Sequence, residues 1–404
     1  MHNTSNQIQE KTDRYLCHTY ARYPLSVKSA KGCALYDFNG REYLDLLSGI
    51  AVCGLGHSHP EIISAIKKQA DKLIHVSNLF YQEEQALLAE KLTSTCSLDR
   101  VFLCNSGAEA NEGAIKLARR YMQKILRQDR FEIITLSGSF HGRTLATLTA
   151  TGQDKIKHGF DPLPSGFRTI PFNDETALEQ AVNDHTAAIM VEIIQGEGGV
   201  RPLSRGFMDR MVQLCKKHGL LMILDEIQTG MGRTGRFWAY QHHGLSPDII
   251  TSAKGLANGL PMGAVLCTEK VSAAFDPGSH GTTFGGSPLA CAAALKVLEI
   301  LDRDDLAGKA QRLGQEAIVA FEKLRTKHPE KIREIRGMGL MLGIDLFFPG
   351  DKLWGALLQK GFILNLTQET VLRLLPPLVI STDHIRDFVL TLDELLQDPG
   401  LWKG

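Results

Sequence analysis

Lys254 and Asp225 are the two side chains whose placement most directly implies chemistry. Lys254 lies in Ser252-Ala253-Lys254-Gly255-Leu256, after the apolar Ile249-Ile250 and before Asn258-Gly259-Leu260-Pro261. A lysine at the end of a buried strand is costly unless its amine is neutralised or bonded. Asp225 closes another apolar run, Leu220-Leu221-Met222-Ile223-Leu224. An amine that forms a Schiff base, with a carboxylate for a ring nitrogen, is the pairing that pyridoxal phosphate requires. A strand-end salt bridge fits the same two residues, since structural ion pairs occupy such places.

A third feature bears on this choice. Val101-Phe102-Leu103-Cys104 reads as a short buried strand, and Asn105-Ser106-Gly107-Ala108-Glu109-Ala110-Asn111-Glu112 turns it into a helix, with Ala114, Leu117, Ala118, Tyr121 and Ile125 at helical spacing. The free N–H groups and dipole of a helix start attract anions, and Gly107 lets a phosphate approach the backbone. A plain capping box, Ser106 with Glu109, accounts for the same residues.

Further motifs run in order through nearly the whole chain: Leu35-Tyr36-Asp37 with Gly40 and Tyr43-Leu44-Asp45, Gly54 to Pro60, Phe140-His141-Gly142-Arg143-Thr144, Gln195-Gly196-Glu197-Gly198-Gly199, Leu224 to Gly230 continuing to Gly235, Ala253-Lys254-Gly255, and His280 to Gly286. With them the chain resembles the class III pyridoxal-phosphate aminotransferases of fold type I. The resemblance implies that Lys254 holds the cofactor and moves protons, and that Asp225 keeps the ring nitrogen protonated. It puts Phe140 on the ring, Ser106, Gly107 and Ala108 at the phosphate, and Gln228 near the phenolic oxygen. It also implies a homodimer with shared active sites, in which Thr283 reaches the neighbour's phosphate and Thr282 its substrate.

Substrate choice rests on arginines, because a guanidinium pairs with a carboxylate through two parallel hydrogen bonds. By resemblance Arg143 takes the α-carboxylate of acetylornithine, Arg373 takes that of glutamate, and Glu197 pairs with Arg373 when no α-amino acid is bound. The implied substrates are acetylornithine, 2-oxoglutarate and glutamate, in arginine biosynthesis. Other terminal amines acted on within the class (succinylornithine, succinyldiaminopimelate, ornithine, 4-aminobutyrate), a decarboxylase and a non-catalytic regulator are the competing readings. Two departures from the family pattern fall near the pocket or lysine loop: Cys53, where asparagine or serine is commoner, and Ala257-Asn258-Gly259-Leu260, in place of a more glycine-rich stretch.

These residues need elements to carry them. From about residue 60 to 290, apolar runs at 101–104, 131–136, 187–194, 220–225, 248–252 and 263–267 alternate with amphipathic stretches such as Met208, Met211, Val212 and Cys215, which stops at Gly219. The alternation predicts an α/β fold with a mainly parallel central sheet covered by helices. Ligands of such sheets lie beyond the carboxyl ends of the strands, where Ser106-Gly107, Phe140, Asp225 and Lys254 all fall. Asn39-Gly40 between 35–38 and 42–46 predicts a hairpin in a small sheet. Ser287-Pro288 opens an Ala-rich helix to about Asp302, followed by strands near 335–346 and 362–366. The expected division is an amino-terminal segment (1–60) that joins a smaller α/β domain (304–404), and a large cofactor domain (61–303).

Composition narrows the function classes. The 404 residues include 45 Lys and Arg against 45 Asp and Glu, so no basic excess points to nucleic acid or to an anionic membrane. Met1 to Arg14 lacks the apolar core of a signal peptide, and a cytoplasmic protein is expected. The eight cysteines are scattered, and the fourteen histidines, His57-Ser58-His59 and His242-His243 among them, show no metal-ligand spacing, so no metal is expected.

Overall fold

A computed structural model describes residues 4–402. The amino-terminal part supplies β1 (Val27–Lys31), β2 (Ala34–Asp37) and β3 (Glu42–Asp45). The middle supplies β4 (Arg100–Cys104), β5 (Glu132–Leu136), β6 (Phe167–Ile170), β7 (Thr186–Val191), the short pair β8 (Ile194–Gln195) and β9 (Arg201–Pro202), β10 (Leu221–Asp225), β11 (Ile249–Ser252) and β12 (Gly263–Cys267). The remainder holds β13 (Ile332–Met338), β14 (Met341–Leu346), β15 (Phe362–Ile363), β16 (Asn365–Thr367) and β17 (Val371–Leu374).

Seven strands form the central sheet, in the order β4-β12-β11-β10-β7-β5-β6. All run parallel except β12, which is antiparallel to both neighbours. β7 and β10 are buried along their whole length, because helices cover both faces, so they read as unbroken apolar runs. The edge strand β6, with Arg168 and Thr169 exposed, offers no such run, and sequence reading missed it.

Local signals fix the helices that aim the site. Ser106 caps helix Gly107–Arg120, which buries Ala110, Ala114, Leu117 and Ala118 against β11 and β12. The helix Arg205–His218 stops where Gly219 turns left-handed at φ +65°. Ser287 caps Pro288–Arg303, with proline in the first turn.

The amino and carboxyl segments meet in a four-stranded sheet, β1-β2-β3-β15, where β15 lies parallel to β3. At its hairpin Gly40 takes φ +82°, and Asp37 Oδ1 accepts the N–H groups of Asn39 and Arg41. The other small sheet runs β13-β14-β17-β16. The single strand expected near 335–346 is two, divided at the left-handed Gly339, and 362–366 divides between the two sheets. β17 was not foreseen, since the charged Arg373 interrupts its apolar pattern. Among the described residues no helix is long and apolar enough to cross a membrane, and no cluster of three or more His, Cys, Asp or Glu suits a metal ion.

Candidate active site

Beyond the ends of β4, β7, β10 and β11 lies a cavity of about 380 Å³. Its lining brings together Ser106, Gly107, Ala108, Phe140, Arg143, Glu197, Asp225, Gln228 and Lys254. Ten of the twelve residues expected to act on cofactor or substrate reach this one region, Arg373 being tied to it through Glu197 and Gln228.

Asp225 ends β10 and is almost fully buried. Its Oδ2 accepts Asn111 Nδ2 at 2.8 Å and lies 2.8 Å from His141 Nδ1, while Oδ1 accepts the Ile227 N–H at 3.1 Å. Asn111 is oriented by Thr251, whose hydroxyl donates to Asn111 Oδ1 at 2.7 Å. Burial opposes charge on His141, but its hydrogen bond to Asp225 and the charges of Asp225 and Glu192 hold its pKa above the ordinary value. A carboxylate fixed in this way keeps its direction and can hold a positive ring nitrogen.

Lys254 follows β11 at φ +41°, a left-handed conformation that costs a non-glycine residue about 1–3 kcal/mol and is found at functional sites. Burial, helped by the charge of Arg373, lowers its amine to about 8, against the pull of Glu197, Asp225 and Glu192. More of it is therefore neutral and nucleophilic near physiological pH than of an exposed lysine.

At the β4 end Ser106 Oγ accepts the Glu109 N–H at 3.2 Å. The Glu109 side chain does not complete the expected box with Ser106; it takes the Asn105 N–H at 2.7 Å. Gly107 and Ala108 are first-turn residues on the cavity wall, where helix N–H groups have no partner within the helix. A Cβ on Gly107 would come within 2.8 Å of the Ile227 side chain, so close packing against the β10 loop also favours glycine there.

Arg373, in the middle of β17, is 1% exposed and donates to Glu197 Oε1 at 2.6 Å, Asn365 Oδ1 at 2.7 Å and Gln228 Oε1 at 3.3 Å. Burial works against charge on Glu197, yet Arg373 and Lys254 keep its pKa below the usual range. Arg143 is exposed on the cavity wall, its guanidinium 5.5 Å from the Phe140 ring centre, and has no ion-pair partner among the described residues. One arginine is thus paired and the other open.

Thr282 and Thr283 do not line this cavity. Thr282 Oγ1 accepts from Asn105 Nδ2 at 2.9 Å and borders a separate groove, and Thr283 is exposed. Cys53 does not line it either, although its neighbour Val52 does. His57, in a loop after the helix Ser48–Ala51, lies 2.6 Å from the carboxylate of Asp45, twelve residues upstream. Sequence reading gave no role to Asn111, His141 or Glu192. Glu192 carried a usable signal, a carboxylate closing an apolar strand, which is the signal that singled out Asp225.

The donor set suits a flat aromatic aldehyde bearing a phosphate: an amine, a fixed carboxylate, an aromatic face and a helix start border one cavity. Comparison with known proteins agrees. Residues 15–396 match the family described as aminotransferase class-III. An acetylornithine aminotransferase of Methanocaldococcus jannaschii is 47% identical over 385 residues, covering 95% of this chain and 96% of that one. The structure of acetylornithine aminotransferase from Elizabethkingia anophelis is 34% identical with a TM-score of 0.88, covering 98% of this chain and all of that one. An ornithine aminotransferase structure from Toxoplasma gondii, 34% identical with a TM-score of 0.93 over 97% of this chain and 94% of that one, has PLP at partial occupancy in its active site.

Proposed function

Because the chain belongs to the class-III aminotransferases, we propose that it uses pyridoxal 5′-phosphate to move the terminal amino group of N2-acetyl-L-ornithine to 2-oxoglutarate. The products are N-acetyl-L-glutamate 5-semialdehyde and L-glutamate, in arginine biosynthesis. The observation that carries this reading is the contrast between Arg373, buried and paired with Glu197, and Arg143, open on the same cavity. A terminal amine and an α-amine place their carboxylates at different distances from the reacting carbon. An enzyme serving both needs one arginine always offered and another released only for the α-amino acid.

When bound, the cofactor supplies an aldehyde that takes up the amine and a ring that accepts electrons. Lys254 Nζ would hold it covalently, then carry a proton between the substrate carbon and the cofactor's C4′. Asp225 would hold the ring nitrogen protonated, Phe140 would lie on the ring, Gln228 would stand near its phenolic oxygen, and the Ser106–Ala108 helix start would take the phosphate. In this reading residues 61–303 carry the cofactor, while 1–60 and 304–404 form the smaller part that brings Arg373.

Acetylornithine is favoured over ornithine by the state of the carboxylates. Asp225 is engaged by Asn111 and His141, Glu197 by Arg373, and Glu192 by the Phe140 N–H. The free α-ammonium of ornithine would compete for a carboxylate already in use, whereas a neutral acetamide needs no anion. A homodimer accounts for the two threonines. Asn78 ties the 282–285 loop to a segment that leaves Leu79, Phe80 and Tyr81 exposed, with Phe284 exposed beside it. Such a surface suits a second copy that receives Thr283 at its phosphate. We assign the enzyme to the cytoplasm. The deciding experiment offers acetylornithine, succinylornithine, succinyldiaminopimelate, ornithine and 4-aminobutyrate with 2-oxoglutarate and identifies the products. Acetylornithine should give the highest kcat/KM, and a higher value for ornithine would overturn the substrate.

A further inference from the structure

Two carboxylates stand side by side behind the cavity. Val191 of β7 and Leu224 of β10 are register partners, so Glu192 and Asp225 leave neighbouring strand ends together. They hold consecutive residues of one segment: Glu192 Oε2 accepts the Phe140 N–H at 3.0 Å, and Asp225 Oδ2 lies 2.8 Å from His141 Nδ1. The same segment is pinned by Thr151 Oγ1, which accepts the His141 N–H at 2.9 Å, and by Asn111, which donates to the His141 carbonyl at 2.7 Å. Of these anchors only Glu192 acts on Phe140 itself. Phe140, His141 and Glu192 all line the cavity.

Two bare carboxylates in adjacent buried positions repel each other, and one of them relieves this by taking a proton. Asp225 has three partners, the Asn111 amide, the Ile227 N–H and the facing His141 Nδ1, whereas Glu192 receives one peptide N–H. Burial and the charge of Asp225 push Glu192 above the ordinary carboxylate range; His141, the Phe140 N–H and Lys254 pull the other way without reversing it. A hydrogen bond to a backbone N–H needs an acceptor oxygen, not a charge.

We propose that Glu192 is a positioning residue that serves as an uncharged acceptor, holding Phe140 against the face of the bound cofactor and leaving Asp225 as the single anion for the ring nitrogen. The proposal rests on the pyridoxal-phosphate reading given above. It makes the carbonyl oxygen and the reach of residue 192 the features that matter, and its negative charge irrelevant.

Three variants separate these features. Glu192→Gln keeps length and acceptor, Glu192→Asp keeps the carboxyl but shortens the reach, and Glu192→Ala removes both. The cofactor-loaded protein of each is measured for visible circular dichroism, which reports how the bound ring is seated, and for the dissociation constant of pyridoxal phosphate. Glu192→Gln should keep the wild-type band and affinity, whereas the Asp and Ala forms should lose much of the band and bind about tenfold more weakly, the effect of one lost buried hydrogen bond. Wild-type behaviour in the Asp form, or loss in the Gln form equal to that of Asp, overturns the proposal. Should the Ala form fail to fold, the Gln and Asp pair still decides. If the wild-type protein itself retains no pyridoxal phosphate, the functional reading falls, a result distinct from any ranking of variants.

Discussion

Replacing Arg373 by alanine should separate the two halves of the reaction. Arg373 is buried in β17 with three acceptors around it, Glu197, Asn365 and Gln228, at 2.6, 2.7 and 3.3 Å. During the glutamate half-reaction it would leave Glu197 and take the α-carboxylate of the substrate. The variant loses that anchor and leaves a buried Glu197 without its cation. Removing one partner of a buried charge pair costs about 2–5 kcal/mol, or roughly thirty- to several-thousand-fold in kcat/KM. During the acetylornithine half-reaction the same arginine would stay with Glu197, and the distal carboxylate would go to Arg143. That half should lose about tenfold or less, because Glu197 is left unpaired in the free enzyme and in the transition state alike, so most of that cost cancels in the rate. Arg143→Ala should weaken both halves, since the side-chain carboxylate of glutamate falls near the same place. Single-turnover absorbance with the loaded enzyme, each substrate in turn, reads the two rates separately. Equal losses in both halves for Arg373→Ala would refute the division of labour.

Other expectations follow from the same geometry. Lys254 is lowered to about 8 by burial, so the rate at which the cofactor-free protein covalently captures pyridoxal phosphate should rise through a midpoint near pH 8; a midpoint near 10.5, that of an ordinary lysine, would contradict the site. The sign for stability is the same: the unfolded lysine binds its proton more tightly, so between about 8 and 10.5 this group adds stability as pH rises, and a thermal melting series can test it. Asp225→Asn should keep bound cofactor yet lose most of its kcat, because the lost charge matters mainly when electrons enter the ring, and a near-native kcat would give Asp225 another role. Thr283→Ala should release cofactor more easily, and mixed, exchanged dimers of Thr283→Ala with Lys254→Ala should recover a minority of sites; no recovery would mean that the loop does not cross between subunits.

Legibility in the sequence depended on how far each signal was local. The buried parallel strands β7, β10 and β11 could be read because both their faces are covered, and Lys254 and Asp225 stood out as charges at the ends of such runs. Capping at Ser106 and Ser287 and the stop at Gly219 needed only neighbouring residues. What escaped was carried by partners far apart in the chain. β6 is an edge strand whose exposed face dilutes its pattern. β17 contains a fully buried arginine, tolerable only because Glu197, some 176 residues earlier, comes to meet it. Asn111 and His141 look like ordinary helix and loop residues until the fold closes them on Asp225. The roles of Arg143, Arg373 and the two threonines came from resemblance, and no local rule assigns them.

The amino-terminal loop joins the parts that sequence reading treated separately. Asn258, just after the lysine turn, accepts the Leu55 N–H through Oδ1 at 2.8 Å and donates to the Gly56 carbonyl at 3.1 Å. On its other side Ser48 Oγ donates to the Leu375 carbonyl at 2.6 Å, two residues past Arg373. Asp45 stiffens the span between them, taking the N–H groups of Leu47 and Ser48 on Oδ1 and lying against His57 with Oδ2. The loop therefore fastens the lysine that would do the chemistry to the strand that carries Arg373, and Val52 from the same loop forms part of the cavity wall. This gives the asparagine that departs from the glycine-rich family pattern a structural reason, since a glycine at 258 could make neither side-chain bond. Cys53 stands differently: it is off the cavity, and its sulfur is 3.9 Å from where a side chain on Gly259 would begin, so it packs behind the lysine loop. The cavity wall at this end is therefore Val52, while Cys53 meets the site only through its packing against Gly259.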